Sequence, residues 1–421
     1  MKKFLKITLV SALVLFTLAD CNLASSVSAE SPAFSADSGT NASAASVTER
    51  DASGTYDAAQ AVPLSPQDDL TITEAGVYLL SGSYEDSMIV IDAGDEAKVQ
   101  LVLANASISG RNGPAIYVRS ADKVFLTAEE GTVNTVSDSA SYTFDEEDTT
   151  PDAAVFSKAD LTINGSGRLT VSGNYKHAVV SKDDLVITAK DLTVNAENVG
   201  LNGKDSVILS EATVSITAGS DGIRSENGTE AEKGLVSVTG SEITIVSGKD
   251  GIQANGKAEI ASGTLNITAR EGIEATYVLL SGGNITIQAS DDGINAAYKS
   301  SAYTPTIEIT GGTVTVTMSA GDTDGIDSNG NIIISGGTVS VNGSSPFDYD
   351  GSAALSGGIV YVNGQQVSSL PNQMMGGMNG FGGGPDGQGG FGGRPGGQGG
   401  FEGGRGGMGG FEGGAPGSGH L

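Results

Sequence analysis

An acidic residue followed by Gly and Ile recurs five times in the second half of this chain. The five acids are Asp221, Asp250, Glu271, Asp292 and Asp324, at spacings of 29, 21, 21 and 32 residues. Three positions after each acid stands a second polar side chain, which gives the series Arg224, Gln253, Glu274, Asn295 and Asp327. If each repeat forms one turn of a stacked structure, equivalent residues lie about 4.8 Å apart. Carboxylates at that spacing repel each other unless a cation neutralises them.

The residue types in these two series favour calcium, which takes six to eight oxygen ligands from carboxylates, amide carbonyls and water. We therefore predict calcium binding, with the strongest case over residues 271–327, where both series carry oxygen. The predicted ligands are Asp250, Glu271, Glu274, Asp292, Asn295, Asp324 and Asp327. A second interpretation stays open, in which the acids only cap turns by accepting hydrogen bonds from backbone N–H groups.

Two further series of side chains recur with the repeat. Lysines stand at Lys158, Lys182 and Lys204, at spacings of 24 and 22 residues. They either pair with the nearby acids Asp160, Asp183, Asp184 and Asp205, or form a strip that binds the carboxylates of an acidic sugar polymer. Tyr277 and Tyr298 each follow an acid of the repeat by six residues, so we expect them to stack on each other, as a sugar-binding face or as an aromatic ladder at a corner. The predicted carbohydrate-binding residues are Lys158, Lys182, Lys204, Tyr277 and Tyr298.

The elements that position these residues are short strands. Runs such as "DLVITAKDLTVNA" and "GTVTVTM" alternate apolar and polar residues with a period of two, and Gly, Asn, Asp and Ser separate them. Repeats of just over 20 residues cannot bury their own apolar faces and must stack. The pattern therefore predicts an all-β parallel β-helix over residues 62–370, with each Ile of the repeat inside and the acids in an exterior column.

Both ends of the chain differ from this body. Residues 1–29 have the Lys-rich start and apolar run of an export signal, and Leu18-Ala19-Asp20-Cys21 is similar to a lipoprotein processing site. Residues 30–61 have the composition of a disordered linker, and residues 371–421 that of a Gly-rich flexible tail. The protein is therefore predicted to be secreted or at the cell surface, with a lipid anchor on Cys21 as its one possible attachment to a membrane.

The charge and composition exclude several classes of function. A formal net charge of −28 disfavours nucleic acid, whose binding depends on Lys and Arg, and favours divalent cations as partners. With one Cys and two His, the chain has little scope for a disulfide framework, a zinc site or a Ser-His-Asp triad.

The segments "AAVFSKADLTINGSGRLTVSGNY" and "SKDDLVIT", followed by "SDGIRSENG", "KDGIQANG" and "DDGINA", resemble a family of secreted bacterial carbohydrate-binding proteins. The likeness covers about residues 68–345. It implies a right-handed, single-stranded parallel β-helix of the kind found in pectate lyases. It also implies binding of cellulose-like and pectic-acid-like polysaccharide, with calcium bound at the Asp-Gly-Ile positions as a class.

Three functions are compatible with these observations. The favoured one is a non-catalytic polysaccharide-binding protein, with no catalytic residue, in which calcium bridges the acidic columns to uronate carboxylates. The alternative is a calcium-dependent polysaccharide lyase, in which Lys182, Lys204 or Arg270 removes the proton beside the uronate carboxylate. The third is a structural surface adhesin, whose β-helix displays the Gly-rich tail.

Overall fold

The computed structural model describes residues 47–66, 69–143, 150–321 and 323–372. The predicted export signal, Cys21, the first part of the predicted linker and the tail from residue 373 onward lie outside the described residues. Those that are described form one short helix, α1 (Glu49–Ser53), and 34 strands. No helix in these ranges is long and apolar enough to cross a membrane.

The strands form three parallel sheets, to which each coil contributes in turn. The first sheet contains β2 (Asp69–Ile72), β4 (Met88–Asp92), β6 (Ile116–Ser120), β9 (Ala153–Ser157), β12 (His177–Ser181), β15 (Leu201–Gly203), β18 (Ile223–Ser225), β25 (Asp292–Ala296), β28 (Asp324–Ser328) and β31 (Ser345–Tyr349). The second contains β1 (Val62–Leu64), β7 (Lys123–Ala128), β10 (Asp160–Gly165), β13 (Asp184–Ile187), β16 (Ser206–Ser210), β19 (Leu235–Thr239), β26 (Thr306–Ile309), β29 (Asn331–Ile334) and β32 (Ala353–Leu355).

The third sheet contains β8 (Val133–Ser137), β11 (Arg168–Gly173), β14 (Leu192–Ala196), β17 (Thr213–Ala218), β20 (Ser241–Ser247), β22 (Gly263–Ala269), β24 (Asn284–Ala289), β27 (Thr313–Met318), β30 (Thr338–Asn342) and β33 (Ile359–Val362). Four longer strands turn a corner between sheets: β3 (Gly76–Tyr84) and β5 (Lys98–Ser109) join the second to the third, and β21 (Asp250–Ile260) and β23 (Glu271–Leu280) join the first to the second. The last strand, β34 (Gln365–Val367), pairs antiparallel with β33.

The predicted parallel β-helix is confirmed, and its core is the inward column of the repeat. The Ile residues of the Asp-Gly-Ile triplets pair in register along the first sheet and are fully buried, and Phe347 ends the column. Burying each of these side chains contributes about 1.5–3 kcal/mol. The Gly of the triplet is required where coils touch, because a Cβ on Gly293 would lie 2.3 Å from the carbonyl oxygen of Gly325.

The prediction of a disordered linker up to residue 61 is wrong for its last part, where α1 packs against β10. Thr48 and Asp51 form a reciprocal capping box, and Gly54 ends the helix with a positive φ of 59°. The buried residue of the helix is Asp51, and its partners lie far away in sequence, as the hydrogen bond from Thr162 illustrates. Composition alone cannot indicate such contacts.

Candidate functional site

The two predicted columns of polar side chains align along the first sheet. Asp250 is in register with Glu271, and Asp292 with Asp324. The second column runs in register from Gln253 through Glu274, Asn295 and Asp327. For these two columns, the spacing of the repeat therefore predicted correctly which residues lie over one another.

The second column continues one coil further than predicted, because Asp327 pairs with Asp348. The repeat is altered in that coil to "SPFDYD", where Phe347 replaces Ile and Pro346 replaces Gly. The acid three residues before Asp348 is also missing, since Ser345 stands there. The signal that identifies Asp348 in the sequence is that it directly follows the inward apolar residue Phe347, as Asp327 directly follows Ile326.

The prediction that the acids form an exterior column is wrong for three coils, those that begin at Asp221, which is 2% exposed, and at Asp250 and Glu271. Asp250 is 0%, Glu271 8% and Glu274 7% exposed. Two inserted loops, residues 226–234 and 297–305, reach over this part of the sheet: a Cβ on Gly228 would lie 2.6 Å from the carbonyl oxygen of Lys299. The Nζ of Lys299 is itself 2.8 Å from Oε2 of Glu274. The loops thus bury groups that alternation alone places at the surface.

Carboxylate oxygens of Asp250, Glu271 and Glu274 lie within 4.8 Å of one another. Oδ1 of Asp250 is buried and has no hydrogen-bond partner in the described part of the chain. Burial raises the pKa of Asp250 to about 6, helped by the charges of Glu274 and Asp221 and opposed by the hydrogen bond from Lys249. Burial also raises the pKa of Glu271, with the charge of Asp250 as the next cause.

Cations of the chain already neutralise part of this upper cluster, which we define as Asp250, Glu271 and Glu274. The Nζ of Lys249 is 2.9 Å from Oδ2 of Asp250. Arg270 is 3.9 Å from Oε1 of Glu271, although its closer partner is Asp291. With Lys299 on Glu274, each carboxylate therefore has a cationic neighbour, and any metal must share the ligands with these groups.

The lower cluster, which we define as Asp292, Asn295, Asp324, Asp327 and Asp348, differs in its balance of charge. Burial raises the pKa of Asp292 to about 7, with further contributions from Asp327, Glu271, Asp291 and Asp324. Burial and the charges of Asp324, Asp348 and Asp350 raise the pKa of Asp327 to about 6. Within the ranges that the structure describes, no Lys or Arg forms an ion pair with an acid of this cluster. The negative charge here is uncompensated.

The amide of Asn295 connects the two clusters through its nitrogen. Its Nδ2 donates to Oε2 of Glu271 at 3.4 Å and to Oδ2 of Asp292 at 3.3 Å. Its Oδ1 is buried and unpartnered among the described residues, as is Oδ1 of Asp348. Buried acceptors without donors are costly. The donor set of carboxylate and amide oxygens fits a hard cation such as calcium.

At the first acid of the series, a backbone N–H group is the donor that the capping interpretation predicts. Oδ1 of Asp221 accepts a hydrogen bond from the backbone N–H of Asp250 at 3.4 Å. The same coil supplies its own cation, because Arg224 is 3.4 Å from Asp221 and 3.2 Å from Glu226. The carboxylate of Asp250 instead accepts a hydrogen bond from the side chain of Lys249, and that of Asp292 accepts one from the side chain of Asn295. The capping interpretation thus fits the coil of Asp221, and the calcium interpretation fits the later coils better.

The predicted lysine strip stacks at the end of the first-sheet strands, upstream of the acids. The backbone N–H of Lys182 donates to Ser157, and that of Lys204 to Ser181. The ammonium of Lys158 lies 5.5 Å from the ring centre of Tyr117, and that of Lys182 lies 5.5 Å from the ring centre of Phe156.

The predicted pairing of the lysine strip with acids is wrong for Lys182 and Lys204, since no ion pair joins either of them to an acid among the described residues. Asp205 forms its ion pair with Lys233 instead, at 2.8 Å. Lys233 belongs to the inserted loop of residues 226–234, which the repeat pattern cannot place. Near the strip, oxygens of Asp160, Asp183 and Asp184 also lie within 4.8 Å of one another.

The expected stack of Tyr277 on Tyr298 does not form. Tyr277 pairs in register with Thr306, and its ring centre is 5.8 Å from that of Tyr303, while its hydroxyl donates to Glu308. Tyr298 is 72% exposed. The reason is the loop of residues 297–305, which begins after β25 and moves Tyr298 out of register. The sequence analysis missed Tyr303 because it lies within this loop.

Comparison with known proteins gives three findings. The family described as carbohydrate-binding domain-containing protein has a sequence model that matches residues 66–351, more than half of the chain. A carbohydrate-binding domain-containing protein of Acetivibrio thermocellus is 36% identical over 129 residues, which are 30% of this chain and 45% of the relative. The chain thus spans less than half the length of that curated relative.

The third finding is a solved structure of a polysaccharide lyase-like protein from C. thermocellum, in a gadolinium derivative. It has 26% sequence identity and a TM-score of 0.42, and the match covers 72% of this chain and 95% of that one.

Proposed function

Because this chain belongs to the carbohydrate-binding domain-containing protein family, we propose that it is an extracellular, non-catalytic polysaccharide-binding protein that uses calcium to hold acidic sugars. The observation that carries the proposal is the pair of stacked carboxylate columns with buried, unpartnered oxygens at Asp250, Asn295 and Asp348. A uronate polymer is the ligand class that such a site suits, because a divalent cation can bind protein and sugar carboxylates at once.

Calcium would be held by the lower cluster first, where the chain's own residues leave the charge uncompensated. Asp292, Asp327 and Asn295 supply the oxygens, and Asp348 extends the set. The upper cluster would hold a second ion only in competition with Lys249, Lys299 and Arg270. When bound, calcium supplies positive charge for a sugar carboxylate. The chain's own part is to fix the oxygens, and at the upper cluster Lys299 of the loop over residues 297–305 covers Glu274.

The lysine strip and Tyr298 are the proposed sugar contacts. Lys158, Lys182 and Lys204 follow one another on successive coils of the same sheet as the acids. Ammonium groups at that repeat suit carboxylates spaced along a polymer. The exposed ring of Tyr298 offers a face for a sugar ring. Neutral cellulose-like chains, which lack the carboxylate, would depend on such aromatic contacts.

The test is calorimetric titration of trigalacturonate into the protein, with calcium and with EDTA. Asp327→Asn should weaken calcium-dependent binding by about tenfold or more, since it removes a charged ligand of the lower cluster with nearly unchanged shape. Asp92→Asn is the matched control, because Asp92 is an exposed acid on β4 of the first sheet. Equal binding with calcium and EDTA, together with no calcium in metal analysis of the protein, would contradict the proposal.

A lyase is the second candidate function, favoured by cationic side chains beside the upper cluster. A β-elimination would need one neutral base to take the proton from the sugar ring while the glycosidic C–O bond breaks and a C=C bond forms. Burial lowers the pKa of Lys249, but the hydrogen bond and charge of Asp250 outweigh it and raise the pKa overall. The hydrogen bond to Asp291 likewise raises the pKa of Arg270. Both groups therefore stay protonated, which favours binding over elimination.

The lyase and the adhesin each have a direct assay. An unsaturated product absorbs in the ultraviolet, so polygalacturonate incubated with protein and calcium should show no rise in absorbance if the protein only binds. The adhesin hypothesis predicts that removal of residues 371–421 abolishes adhesion to insoluble polysaccharide while calcium-dependent binding of trigalacturonate persists. Export is tested by locating the protein in cell fractions and by mass analysis of its mature N-terminus, which also reveals any lipid on Cys21.

A further inference from the structure

The outward face of β5, β7, β10 and β13 carries polar side chains that are buried, although alternation places them toward solvent. They are Gln100, Thr127, Thr162, Asn164 and Thr188. Thr162, Asn164 and Thr188 donate to oxygens of α1, Gln100 donates to the carbonyl of Thr55 just after the helix, and Thr127 bonds to Gln100 and Asn164. An exposed sheet face of a β-helix has no need of so many buried hydrogen-bonding groups. This face is therefore built to bind something polar.

The carboxylate of Asp51 occupies the centre of this groove. Its Oδ1 is 2.7 Å from Nζ of Lys123 and accepts a hydrogen bond from Oγ1 of Thr162 at 2.6 Å. Its Oδ2 accepts from the backbone N–H and the hydroxyl of Thr48, at 2.9 and 2.6 Å. The body of the protein thus offers one ammonium and one hydroxyl to a carboxylate.

The same groove also binds the backbone carbonyl oxygen of Asp51. The backbone carbonyl of Asp51 accepts from Oγ1 of Thr188 at 2.6 Å and from Nδ2 of Asn164 at 3.1 Å. Next to them the ring of Phe125 faces outward, with the guanidinium of Arg50 4.3 Å from its centre. A cation, several donors and an aromatic ring are the groups that recognise a carboxylate-bearing sugar with its ring oxygens.

The attachment of α1 is polar and can be exchanged. The helix has five residues, too short to be stable alone, and Asp51 is its one buried residue. Beside the groove, between Gln100 and Val77 of the body and Tyr56 of the following segment, an open pocket of about 820 Å³ leaves room for more of a ligand. An incoming carboxylate can therefore replace the contacts that Asp51 makes, and the apolar surface that this uncovers is the ring of Phe125, on which a sugar ring can pack.

We propose that the groove beneath α1 is a second binding subsite for uronate sugars, and that Asp51 is an internal ligand which occupies it until such a sugar displaces the helix. The inference rests on the proposed function, since it names a further subsite for the same class of polymer. It differs in mechanism, because Lys123 rather than calcium meets the carboxylate.

The experiment is titration of trigalacturonate into the full chain in EDTA, which removes the calcium-dependent binding. Asp51→Asn should bind about 10- to 100-fold more tightly than the parent chain, because the groove is then open in a larger fraction of molecules. Asp92→Asn, which makes the same change at an exposed acid on β4, should bind like the parent. Adding Lys123→Met to Asp51→Asn should abolish the gain.

Equal binding by Asp51→Asn and the parent chain, or a gain that survives Lys123→Met, would overturn the proposal. Hydrogen exchange in the unmodified protein gives a readout that needs no variant. The amide of Ala52, which donates to Thr48 within α1, should exchange faster with saturating trigalacturonate in EDTA. If it stays protected while sugar binds, Asp51 is not displaced. Failure of the calcium proposal shows instead in Asp327→Asn with calcium present, so the two failures are distinguishable.

Discussion

In the absence of calcium, the free energy of unfolding should fall as the pH rises from 5 to 8. The pKa of Asp292 is raised to about 7, and the pKa values of Asp250 and Asp327 to about 6, against 3.8 for an unperturbed Asp. The folded state therefore holds these protons more tightly than the unfolded state does. The resulting stabilisation is complete below about pH 4 and is lost as the pH passes through 6 and 7.

The size of the effect follows from these pKa values. Between pH 5 and pH 8, Asp292 alone accounts for a loss of about 3 kcal/mol, and Asp250 and Asp327 for about 1 kcal/mol each. The total is about 3–5 kcal/mol, with the lower figure applying if neighbouring acids share protons. A loss of this size is a large part of the stability of an ordinary domain.

Urea unfolding followed by circular dichroism, in EDTA and in calcium, measures this dependence. Asp292→Asn should remove about 3 kcal/mol of the decline in EDTA, because the amide cannot ionise. Asp92→Asn is the matched control, since Asp92 is an exposed acid on β4. Calcium should raise stability more at pH 8 than at pH 5, because it binds the ionised carboxylates of the folded chain.

Three results would refute this reasoning. A free energy of unfolding that stays level in EDTA from pH 5 to pH 8 would mean that the stacked acids do not disfavour one another's ionisation. A full decline in Asp292→Asn would mean that the proton is held elsewhere. If calcium stabilised the protein equally at pH 5 and pH 8, these carboxylates would not be its ligands.

Three further predictions concern the coils and the proposed contacts. Gly293→Ala should destabilise the protein by about 2–3 kcal/mol, because its Cβ would meet the next coil at 2.3 Å, whereas Gly113→Ala, with no atom closer than 3.9 Å, should change the urea midpoint little. Tyr298→Ala should leave stability within about 0.5 kcal/mol but weaken binding of a cello-oligosaccharide in titration, and unchanged binding would exclude this ring from the sugar site. Lys249→Met should raise the apparent pKa of Asp250, measured by carboxylate NMR, and increase the stabilisation by calcium; an unchanged pKa would show that the 2.9 Å ion pair is not formed in solution.

The fold could be predicted because a single repeated motif determines how the coils stack. Each Asp-Gly-Ile fixes an inward Ile, a Gly at a close approach between coils and an acid beside it, so the register of residues 250, 271, 292 and 324 follows from their order along the chain. The inserted loops carry no such repeat. They bury Glu274 under Lys299 and carry Tyr298 out of register, and both effects depend on contacts that no local pattern encodes.

The same limit applies to α1. Its sequence, rich in Ala, Ser and Thr nearby, has the composition of a linker, and a five-residue helix leaves no hydrophobic period to detect. Its stability comes from Thr162, 111 residues away, and from Lys123. The capping box of Thr48 and Asp51 is the one local signal, and by itself it marks a helix start without indicating what the helix contacts.

The distribution of cations along the acidic columns is the strongest physical case for an external ion. The coil of Asp221 shows that this fold can neutralise an acid internally, because Arg224 lies in the second column and pairs with it. At the equivalent position, later coils carry Glu274, Asn295 and Asp327, which add oxygen atoms in place of positive charge. Neutral side chains are evidently compatible with this register, since Asn295 occupies it. A run of acids that raise one another's pKa therefore lowers the stability of the free chain, and a divalent cation bound at the lower cluster would restore it.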